Sequence, residues 1–439
     1  MKFSQGFRDT EVGKILNDWK IKKLGCFGDF RNGVNFSRED FGKGYPVINV
    51  KNLFSGRYAT TKDLAEIKKG TIKNINLYSL QRGDILFARS SVKASGAGQV
   101  AMINDLPNNS TLFSGFIIRF RNNSYKLLSN NFINYLLRSN IYRKYLTKIA
   151  IGTSIINLTQ GTLSNIPIIL PPLNEQNWIV NILTDLDRKI ELNNQINKNL
   201  ETMAQEIFKH WFVDFEFPDE NGGPYKSSGG EMMDSELDLI PKEWKINRLH
   251  ELTKRNKQKI KDIKDWENKK LIDLSIMPQF SFCITNFEKG NKLKTNIYKL
   301  SEFDILFGSI RPYFGKAGFS PINGVVAGTI FSYLPVRKDL YSYILCLTTS
   351  KSFIDFTVKY SRGTKMPIIN WDDFVSYKVV VPENDKLIES FNNMIMPLLK
   401  EIKENINMNQ NLSDIRDVLL PKLMSGEIQV PINNIKEGE

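Results

Sequence analysis

Two long helical stretches constrain the fold of this sequence more than any other feature. After the segment 171–176 (PPLNEQ), apolar residues keep a helical spacing for about forty positions. A weaker copy of this segment and its helix begins near residue 382, and what precedes the first copy is partly repeated before the second. The sequence therefore predicts two similar globular modules, each followed by a long helix, and not a solenoid of many units.

The internal repeat consists of three short matches that keep the same order. The offset between the copies falls from 225 to 220 to about 212, as homologous modules with loops of different length would give. The matched segments are Trp19-Lys20-Ile21 with Trp244-Lys245-Ile246, Asp84-Ile85-Leu86-Phe87 with Asp304-Ile305-Leu306-Phe307, and Gly152-Thr153 with Gly363-Thr364. The preserved order indicates two pseudo-symmetric copies of one fold.

Each module is predicted to mix short strands with helices, so its fold class is α/β (α+β). Strand patterns cover residues 84–88, 116–120, 166–170, 304–307 and 377–381, and helical patterns cover residues 131–148 and 343–359. The predicted divisions are a first module at 1–170, a first long helix at 171–213, an acidic Gly- and Ser-rich linker at 214–243, a second module at 244–381, a second long helix at 382–425 and a tail at 426–439.

The two long helices carry a heptad seam that asparagine interrupts at matching places. Apolar residues recur at steps of four and three from Ile179 to Ile207, and adding 212 to each position gives the seam of the second helix. A buried asparagine is tolerated where another amide satisfies it, so it fixes register. We expect an antiparallel coiled coil in which Asn193 faces Asn409 and Asn197 faces Asn405. The alternative is that each helix packs on its own module with its asparagines in solvent.

An antiparallel helix pair would also act as a ruler. The seam spans roughly 42 Å at 1.5 Å per residue, and the whole helix about 55–60 Å. At about 3.4 Å per base pair, modules at its two ends would stand roughly 12–17 base pairs apart. Two readers on one spacer predict a split DNA site.

Charge favours a nucleic acid or another polyanion as the partner. The 439 residues suit two or three domains, and the formal net charge is +13 with a pI near 9.3. Residues 214–243 contain nine acidic and two basic residues, so the rest of the chain carries about +20. The alternative is a soluble protein that is merely basic.

Cysteine and histidine usage is typical of a reduced cytoplasm and not of a metal site. Cys26, Cys283 and Cys346 form no CxxC pair, and His210 and His250 have no metal-ligand spacing. The first ten residues lack the apolar core of a signal peptide, and no run reaches the roughly twenty apolar residues of a membrane helix. We therefore expect a cytoplasmic protein without a metal or a membrane segment.

No motif for catalysis is evident in the sequence. It lacks an Asn-Pro-Pro-Tyr or Asp-Pro-Pro-Tyr motif for amino-methyl transfer. The string Gly96-x-Gly98 resembles a dinucleotide loop, but residues 104–109 break any helix that would follow it. Residues 308–316 fail as an ATP-binding loop because the glycine spacing and the final Ser or Thr are wrong. These absences favour a non-catalytic recognition protein.

Three segments resemble the type I restriction-modification specificity subunits, and the similarity extends over the whole length. The segment from LPPLNEQ (170–176) through FKHWFVDFEFP (208–218) resembles the first conserved region of that family. PYKSSGGEM (224–232) resembles its inter-repeat linker, and LLPKLMSGEI (419–428) resembles its carboxyl-terminal signature. The second copy departs from the pattern, because PENDK (382–386) stands where the first has PPLNEQ.

The resemblance implies a DNA-specificity subunit without catalytic residues. Its two modules would be target-recognition domains that each read half of an asymmetric bipartite DNA sequence, with the paired helices setting the gap. Two methylation subunits would dock near the helices and bring S-adenosylmethionine, and restriction subunits would add ATP- and Mg-dependent cleavage. The chain itself would bind no cofactor. The departure at 382–386 makes symmetric docking on the second helix less secure.

The loops that follow the repeated Asp-Ile-Leu-Phe strand are the strongest candidates for contacts with DNA. Both are basic and rich in glycine, and Arg or Gln can make two hydrogen bonds to a base edge. The candidates are Arg89, Lys93 and Gln99 in the first module and Arg311, Tyr313 and Lys316 in the second. Weaker candidates are Lys51, Asn52 and Arg57, together with the Gly-Thr pairs. The alternative is that these loops are ordinary solvated turns.

Two other functions stay open at this point. One is a DNA-binding regulator that has no methylation partners. The other is a metal-dependent nuclease, because Asp219, Glu243 and Lys245 formally fit the spaced carboxylate and lysine pattern of such enzymes. We expect these three residues to lie in a flexible linker, where nothing holds a metal site in place.

Overall fold

The computed structural model describes residues 6–54, 56–91, 96, 98–149, 156–260, 262, 264, 267–290 and 296–429. These residues divide into two compact units. The first unit holds the residues up to Asp187 together with those from Ser413 onward, and the second holds Arg188–Leu412. The division runs inside the two long helices and not at their ends, because each unit packs one module against a segment of both helices.

The first unit contains thirteen described strands, three short helices and part of helix α4. The strands are β1 (Phe7–Thr10), β2 (Gly13–Leu16), β3 (Lys20–Lys23), β4 (Gly28–Asn32), β5 (Gly44–Ile48), β6 (Ala65–Lys68), β7 (Ile85–Ala88), β8 (Ser90–Ser91), β9 (Val100–Met102), β10 (Leu112–Phe113), β11 (Ile117–Asn122), β12 (Ile156–Asn157) and β13 (Pro167–Leu170). The helices are α1 (Asn130–Arg138), α2 (Asn140–Ile149), α3 (Gln160–Ser164) and α4 (Leu173–Phe212).

The second unit contains the remaining strands and the second long helix, α9, whose last residues belong to the first unit. The strands are β14 (Met232–Ser235), β15 (Asp238–Pro241), β16 (Trp244–Arg248), β17 (Thr253–Arg255), β18 (Lys270–Ile272), β19 (Glu288–Lys289), β20 (Ile297–Leu300), β21 (Ile305–Gly308), β22 (Ala317–Phe319), β23 (Gly324–Ala327), β24 (Ile330–Pro335) and β25 (Lys378–Pro382). The helices are α5 (Leu249–Leu252), α6 (Tyr341–Thr349), α7 (Lys351–Lys359), α8 (Trp371–Val375) and α9 (Asp385–Ser425).

The two modules repeat one sheet topology. Each has a four-stranded antiparallel sheet, ordered β4-β11-β7-β9 in the first and β17-β24-β21-β22 in the second. Each also has a mixed sheet built around one parallel pair, β10 with β5 and β23 with β18. In both modules an antiparallel pair joins the start of the module to the strand before its long helix, β3 with β13 and β16 with β25. The predicted pseudo-symmetric repeat and the mixed α and β class are confirmed.

The long helical patterns inside the modules are each broken once. The predicted helix 131–148 is two helices that meet at Ser139, and the predicted helix 343–359 is two helices that meet at Ser350. Ser350 has an extended backbone and accepts a hydrogen bond from Phe353 N, and Ser139 Oγ accepts one from Tyr142 N. A serine that caps a new helix stops the previous one without disturbing the apolar spacing, so periodicity alone does not reveal the break.

An aspartate that recurs in both modules closes the turn before the central strand of each in the same way. Asp84 accepts a hydrogen bond from Gln81 N at 2.7 Å, and Asp304 accepts one from Ser301 N at 3.1 Å. Both carboxylates are buried, so each needs further donors. Arg121 supplies them to Asp84, whereas Asn256 and Ser332 supply them to Asp304. The repeated Asp-Ile-Leu-Phe motif is therefore explained by folding.

The core of each unit draws on residues from the long helices. Leu423 and Met424 of α9 are buried with Leu16 and Trp19 in the core of the first unit. Phe208, Trp211 and Phe212 of α4 are buried with Phe391 of α9 in the core of the second. Burying one such side chain contributes about 1.5–3 kcal/mol, so the helix segments are part of each folding unit. In the described part of the chain, every helix lacks the long apolar run that a bilayer crossing requires.

Candidate nucleic-acid interface

Two pairs of asparagines join the long helices in the second unit. Asn193 Nδ2 donates to Asn409 Oδ1 at 2.8 Å, and Asn405 Nδ2 donates to Asn197 Oδ1 at 3.0 Å. All four side chains are buried. Since the residue number rises along α4 as it falls along α9, the helices are antiparallel here. The expected pairing is present, and the alternative with solvent-facing asparagines is not.

The helices of the first unit are joined by an ion-pair network instead. Asp187 Oδ1 lies 3.0 Å from Arg416 Nη1, and Asp187 Oδ2 lies 3.8 Å from Arg57 Nη1. Tyr135 donates its hydroxyl to the same carboxylate at 2.6 Å, and burial together with this bond raises the pKa of Tyr135. One aspartate thus ties a module loop and helix α1 to both long helices.

The PPLNEQ motif anchors the start of α4 inside the first unit. Gln176 is fully buried, and its amide accepts from Ser129 N and donates to two carbonyl oxygens, those of Leu127 and Pro171. Trp19 donates its indole N–H to Glu175 Oε2 at 3.1 Å. The start of α9 has no such clamp, and there Arg337 binds Asp385 at 2.7 Å. The departure at 382–386 is therefore a change in how the helix is anchored.

The loop after β7 in the first module presents a half-buried arginine. Arg89 Nη1 donates to Gly115 O at 3.3 Å, while the backbone N–H of Arg89 donates to Phe116 O. Gln99 returns the chain to β9, with its carbonyl accepting from Ala88 N. Lys93 lies outside the described residues. The described part of this loop therefore places Arg89 and Gln99 at the same end of one sheet.

The equivalent loop of the second module is held in a strained backbone. Arg311 has φ of +51°, which a side chain other than glycine rarely adopts, and its N–H donates to Pro367 O at 2.7 Å. Tyr313 is 44% exposed, with its ring 4.6 Å from that of Phe314. The ammonium of Lys316 donates to Leu274 O. Tyr313 is thus exposed on a fixed turn and Lys316 holds the loop in place, whereas Arg311 is half-buried and its Nε has no hydrogen-bond partner among the described residues.

Sequence and structure comparisons agree on the family. The model of the type I restriction modification DNA specificity domain matches residues 17–202. The MjaIX specificity subunit of Methanocaldococcus jannaschii is 28% identical over 97% of this chain and 96% of its own length. The HindI specificity subunit of Haemophilus influenzae is 26% identical over 94% of this chain and all of its own.

Over nearly its whole length the chain is similar to specificity subunits of type I restriction enzymes. The fold also resembles the crystal structure of the S subunit from M. genitalium, with a TM-score of 0.55 at 16% identity over 93% of this chain and 96% of that one. The names of these relatives agree with the resemblance that the sequence motifs indicate.

Two weaker candidates for DNA contact have structural roles instead. Asn52 is buried, and its Oδ1 accepts from Asn49 N to close a short turn. The Arg57 guanidinium lies between the rings of Tyr58 and Tyr135, with centroids at 4.5 and 4.4 Å, and donates to Thr184. We therefore omit both from the proposed contacts. Lys51 is exposed on the same segment and stays a candidate.

Of the two Gly-Thr pairs predicted as candidates, the structure describes one. Gly152-Thr153 lies outside the described residues. Gly363 has φ of +104° in a turn where Arg362 and Ile368 exchange two backbone hydrogen bonds of 2.9 Å. Gly363-Thr364 therefore shapes a turn that is exposed beside the loop of Arg311.

Two of the three residues of the nuclease alternative, Asp219 and Lys245, are engaged elsewhere. Asp219 Oδ1 accepts from Asn221 N and Gly223 N, which closes a turn, and Lys245 forms an ion pair with Glu383 at 2.8 Å. The segment 214–243 contains regular structure, the antiparallel pair β14 and β15. Across the described residues, no three His, Cys, Asp or Glu side chains are grouped as metal ligands.

Sequence reasoning missed the carboxylates that connect modules to helices. Asp187 and Glu201 lie beside seam positions of α4, and Arg416 occupies a seam position of α9 that is otherwise apolar. The sequence gives one signal of such contacts, a charged residue in an apolar seam, and this signal marks Arg416. Nothing in the spacing marks Glu201, because its partners lie eighty residues further along the chain.

Proposed function

We propose that this chain is a DNA-specificity subunit that reads a bipartite DNA sequence, with one half-site for each module. The observation that carries the proposal is the repeated architecture. In both modules the central strand, β7 or β21, ends in a basic loop that contains glycine. Two copies of one reader on one chain fit a target with two separate halves.

The charge distribution supports duplex DNA as the ligand. The acidic residues concentrate in 214–243, so the modules and helices carry about +20 in total. Positive charge of this size supplies the contacts to phosphate that give affinity, whereas a few side chains at base edges give specificity. Affinity is therefore expected to fall steeply with salt.

The loops supply the residues for base contacts. Arg89 and Gln99 in the first module, and Arg311 in the second, can each make two hydrogen bonds to guanine or adenine. Tyr313 is exposed and offers an aromatic surface beside Arg311. Lys93 and Lys51 are assigned to phosphate, because lysine more often anchors the backbone than reads a base, whereas Lys316 is engaged with the Leu274 carbonyl.

The helix pair is proposed to set the gap between the half-sites. The buried amide pairs support this role, because sliding α4 against α9 would place amides opposite apolar side chains. The helix length gives a gap of roughly 12–17 base pairs.

The remaining partners follow from the family. Two methylation subunits dock on the long helices and carry S-adenosylmethionine, and restriction subunits add cleavage that uses ATP and Mg. The complex works in the cytoplasm. Methylation subunits that co-purify with the chain support this arrangement, whereas DNA binding without them identifies the chain as a regulator.

Mapping methylated positions in a genome that carries this chain tests the bipartite target directly. The map reports both half-sites and the gap. Arg89→Ala is then expected to weaken discrimination at one half-site, and Arg311→Ala at the other, by about 1–3 kcal/mol. Loss at both half-sites from either substitution contradicts one reader per module.

Helix insertions test the ruler. One heptad added to both α4 and α9 beside the asparagines lengthens the pair by about 10 Å, or roughly 3 base pairs. Seven residues inserted between Gly229 and Gly230 are the control, and they are expected to leave the preferred gap unchanged. If the preferred gap between the half-sites does not change after the helix insertion, the helices do not set that gap.

A further inference from the structure

Glu201 of helix α4 is the acceptor for three donors from one segment of the second module. Glu201 Oε1 accepts from Phe282 N at 2.7 Å, and Oε2 accepts from Ser281 Oγ at 2.8 Å and Cys283 Sγ at 3.4 Å. Within the described residues, Glu201 forms no salt bridge. The carboxylate is instead satisfied by directed hydrogen bonds, so its position determines where residues 281–283 lie.

The same segment supports the loop that carries Arg311 and Tyr313. Phe280 N donates to Gly315 O at 3.0 Å, and Leu274 O accepts from the ammonium of Lys316. Gly315 has φ of +56°, and a Cβ there would lie 2.6 Å from Cδ1 of Phe280, so ring and loop are in close contact. Residues 274–283 therefore connect helix α4 to the loop along a continuous set of contacts.

The loop also has contacts on its other sides, since residues 312–314 pack against helix α7 and Ile310 pairs with Ile368. Its base is closed by Gly308 N, which donates to Lys316 O, and its far side by Arg311 N, which donates to Pro367 O. Arg311 and Gly315 both have positive φ, so the turn is held in a conformation that a free loop would leave. The contacts with residues 274–283 help to hold the loop in this conformation.

The first module uses a different contact at the equivalent place. There the segment between β5 and β6 reaches α4 through Arg57, which binds Thr184 and Asp187. In the second module the corresponding segment, between β18 and β19, supplies the donors and α4 supplies the acid. Each module is thus linked to the spacer helix, and in the second module the link continues through residues 274–283 to the candidate loop 308–316.

We propose that Glu201 is a positioning residue for DNA recognition by the second module. Its carboxylate holds residues 281–283, these hold the loop 308–316 through Phe280 and Leu274, and the loop presents Arg311 and Tyr313 to the second half-site. The proposal rests on the proposed function, and it adds that the spacer helix and one reader are mechanically coupled. Glu201 itself does not touch DNA.

Selection from randomised DNA tests the coupling. The full chain, assembled with its methylation partner, is incubated with a duplex library randomised at both half-sites, and the bound fraction is sequenced. Glu201→Ala is expected to reduce discrimination at the second half-site on the order of tenfold and to leave the first half-site unchanged. Ser281→Ala removes one donor without changing the helix, and it is expected to cause a smaller loss at the same half-site.

Conservative replacement separates positioning from general stability. Glu201→Gln keeps an oxygen for Phe282 N, so it is expected to recover most of the discrimination at the second half-site. Glu206→Ala, an exposed change five residues along the same helix, is the control and is expected to behave like the wild type. Hydrogen exchange is expected to rise at 274–283 and 308–316 in Glu201→Ala.

Three results overturn the coupling. They are an unchanged second half-site in Glu201→Ala, an equal loss at both half-sites, and a Glu201→Gln variant as impaired as the alanine variant. If Glu201→Ala does not fold, the test is whether Ser281→Ala discriminates less than the wild type at the second half-site; unchanged discrimination contradicts the coupling. A wild-type chain that selects no bipartite sequence contradicts the proposed function instead, so the two failures are distinguishable.

Discussion

The two units attach their modules to the same pair of helices by different chemistry. Both units bury apolar residues of the helices, but in the first unit polar contacts add to them, since Gln176 is hydrogen-bonded at the start of α4 and Asp187 binds Arg57 and Arg416. In the second unit an aromatic cluster stands at the end of α4 and the start of α9, beside the hydrogen bonds of Glu201. Phe212 packs within 5 Å of two rings, with centroid distances of 4.8 Å to Tyr343 and 4.9 Å to Phe391.

This difference explains why the second copy of the repeat is the weaker one. Hydrogen bonds need particular atoms at particular angles, so a polar anchor requires specific residue types and is recognisable in the sequence as a motif such as PPLNEQ. Aromatic contacts depend on buried area, and several apolar residues can provide it. At the start of α9, Phe391 packs in this aromatic cluster, where the start of α4 has the hydrogen bonds of Gln176.

The largest expected effect comes from removing an aromatic anchor. Phe212→Ala deletes a side chain that is 6% exposed, and it is expected to destabilise the second unit by about 3–5 kcal/mol. Hydrogen exchange measured on peptides from each unit reports this loss separately for the two. Met203→Ala, half exposed on the same helix, is the control and should change stability by less than about 0.5 kcal/mol. Equal destabilisation of both units would remove the distinction between the anchors.

Removing the polar clamp should give the next largest effect, and in the other unit. Gln176→Leu leaves Ser129 N and two carbonyl groups without their partner, which is expected to cost the first unit about 2–3 kcal/mol. The same exchange measurement checks it. Gln195→Leu on the exposed side of α4 is the matched control and should be close to neutral. A neutral Gln176→Leu would show that packing alone anchors the first module.

Ionic strength should have a smaller effect on stability, and this effect should be confined to the first unit. Asp187→Asn is expected to cost the first unit about 1 kcal/mol, because Arg57 and Arg416 lose a charged partner that is partly exposed. High salt screens the wild-type network, so the difference between wild type and variant should shrink between low and high ionic strength. Glu383→Gln, which breaks an exposed pair with Lys245, is the control with no expected change. If salt destabilised the second unit as much as the first, the proposed difference between the two anchors would be wrong.

The smallest expected effect is a pH dependence confined to the second unit. Burial raises the pKa of the Glu201 carboxyl above its ordinary value of 4.5, while bonds from Ser281, Phe282 and Cys283 and the charge of Lys198 oppose the rise. Because the folded state binds the proton more tightly, this contribution to stability is present below the ordinary pKa and is lost as pH rises through the raised pKa. Exchange at 274–283 should therefore increase with pH beyond its intrinsic dependence, and Glu201→Gln should abolish that excess.

The repeat, the mixed fold class and the asparagine pairing were predictable because each leaves a local trace. Asn193 and Asn409 interrupt an otherwise apolar period, and that interruption is visible without coordinates. The breaks at Ser139 and Ser350 were not predictable from periodicity, since a capping serine leaves the apolar spacing intact.

The candidate site was less predictable, because its geometry depends on distant partners. Arg57 looks like a DNA contact by composition, yet it binds Thr184, which is 127 residues away. Lys316 has the same appearance and binds the Leu274 carbonyl. A basic residue in a loop signals charge, and only its neighbours in space decide whether that charge is available.

The burial of Leu423 and Met424 beside Leu16 and Trp19 has a consequence for biosynthesis. A nascent chain that has emerged as far as helix α4 still lacks the side chains that complete its own first core. That core closes only after the entire second module has been translated. The second unit, which is contiguous in sequence, should thus become resistant to protease on the ribosome before the first, reversing the usual order in which amino-terminal domains fold.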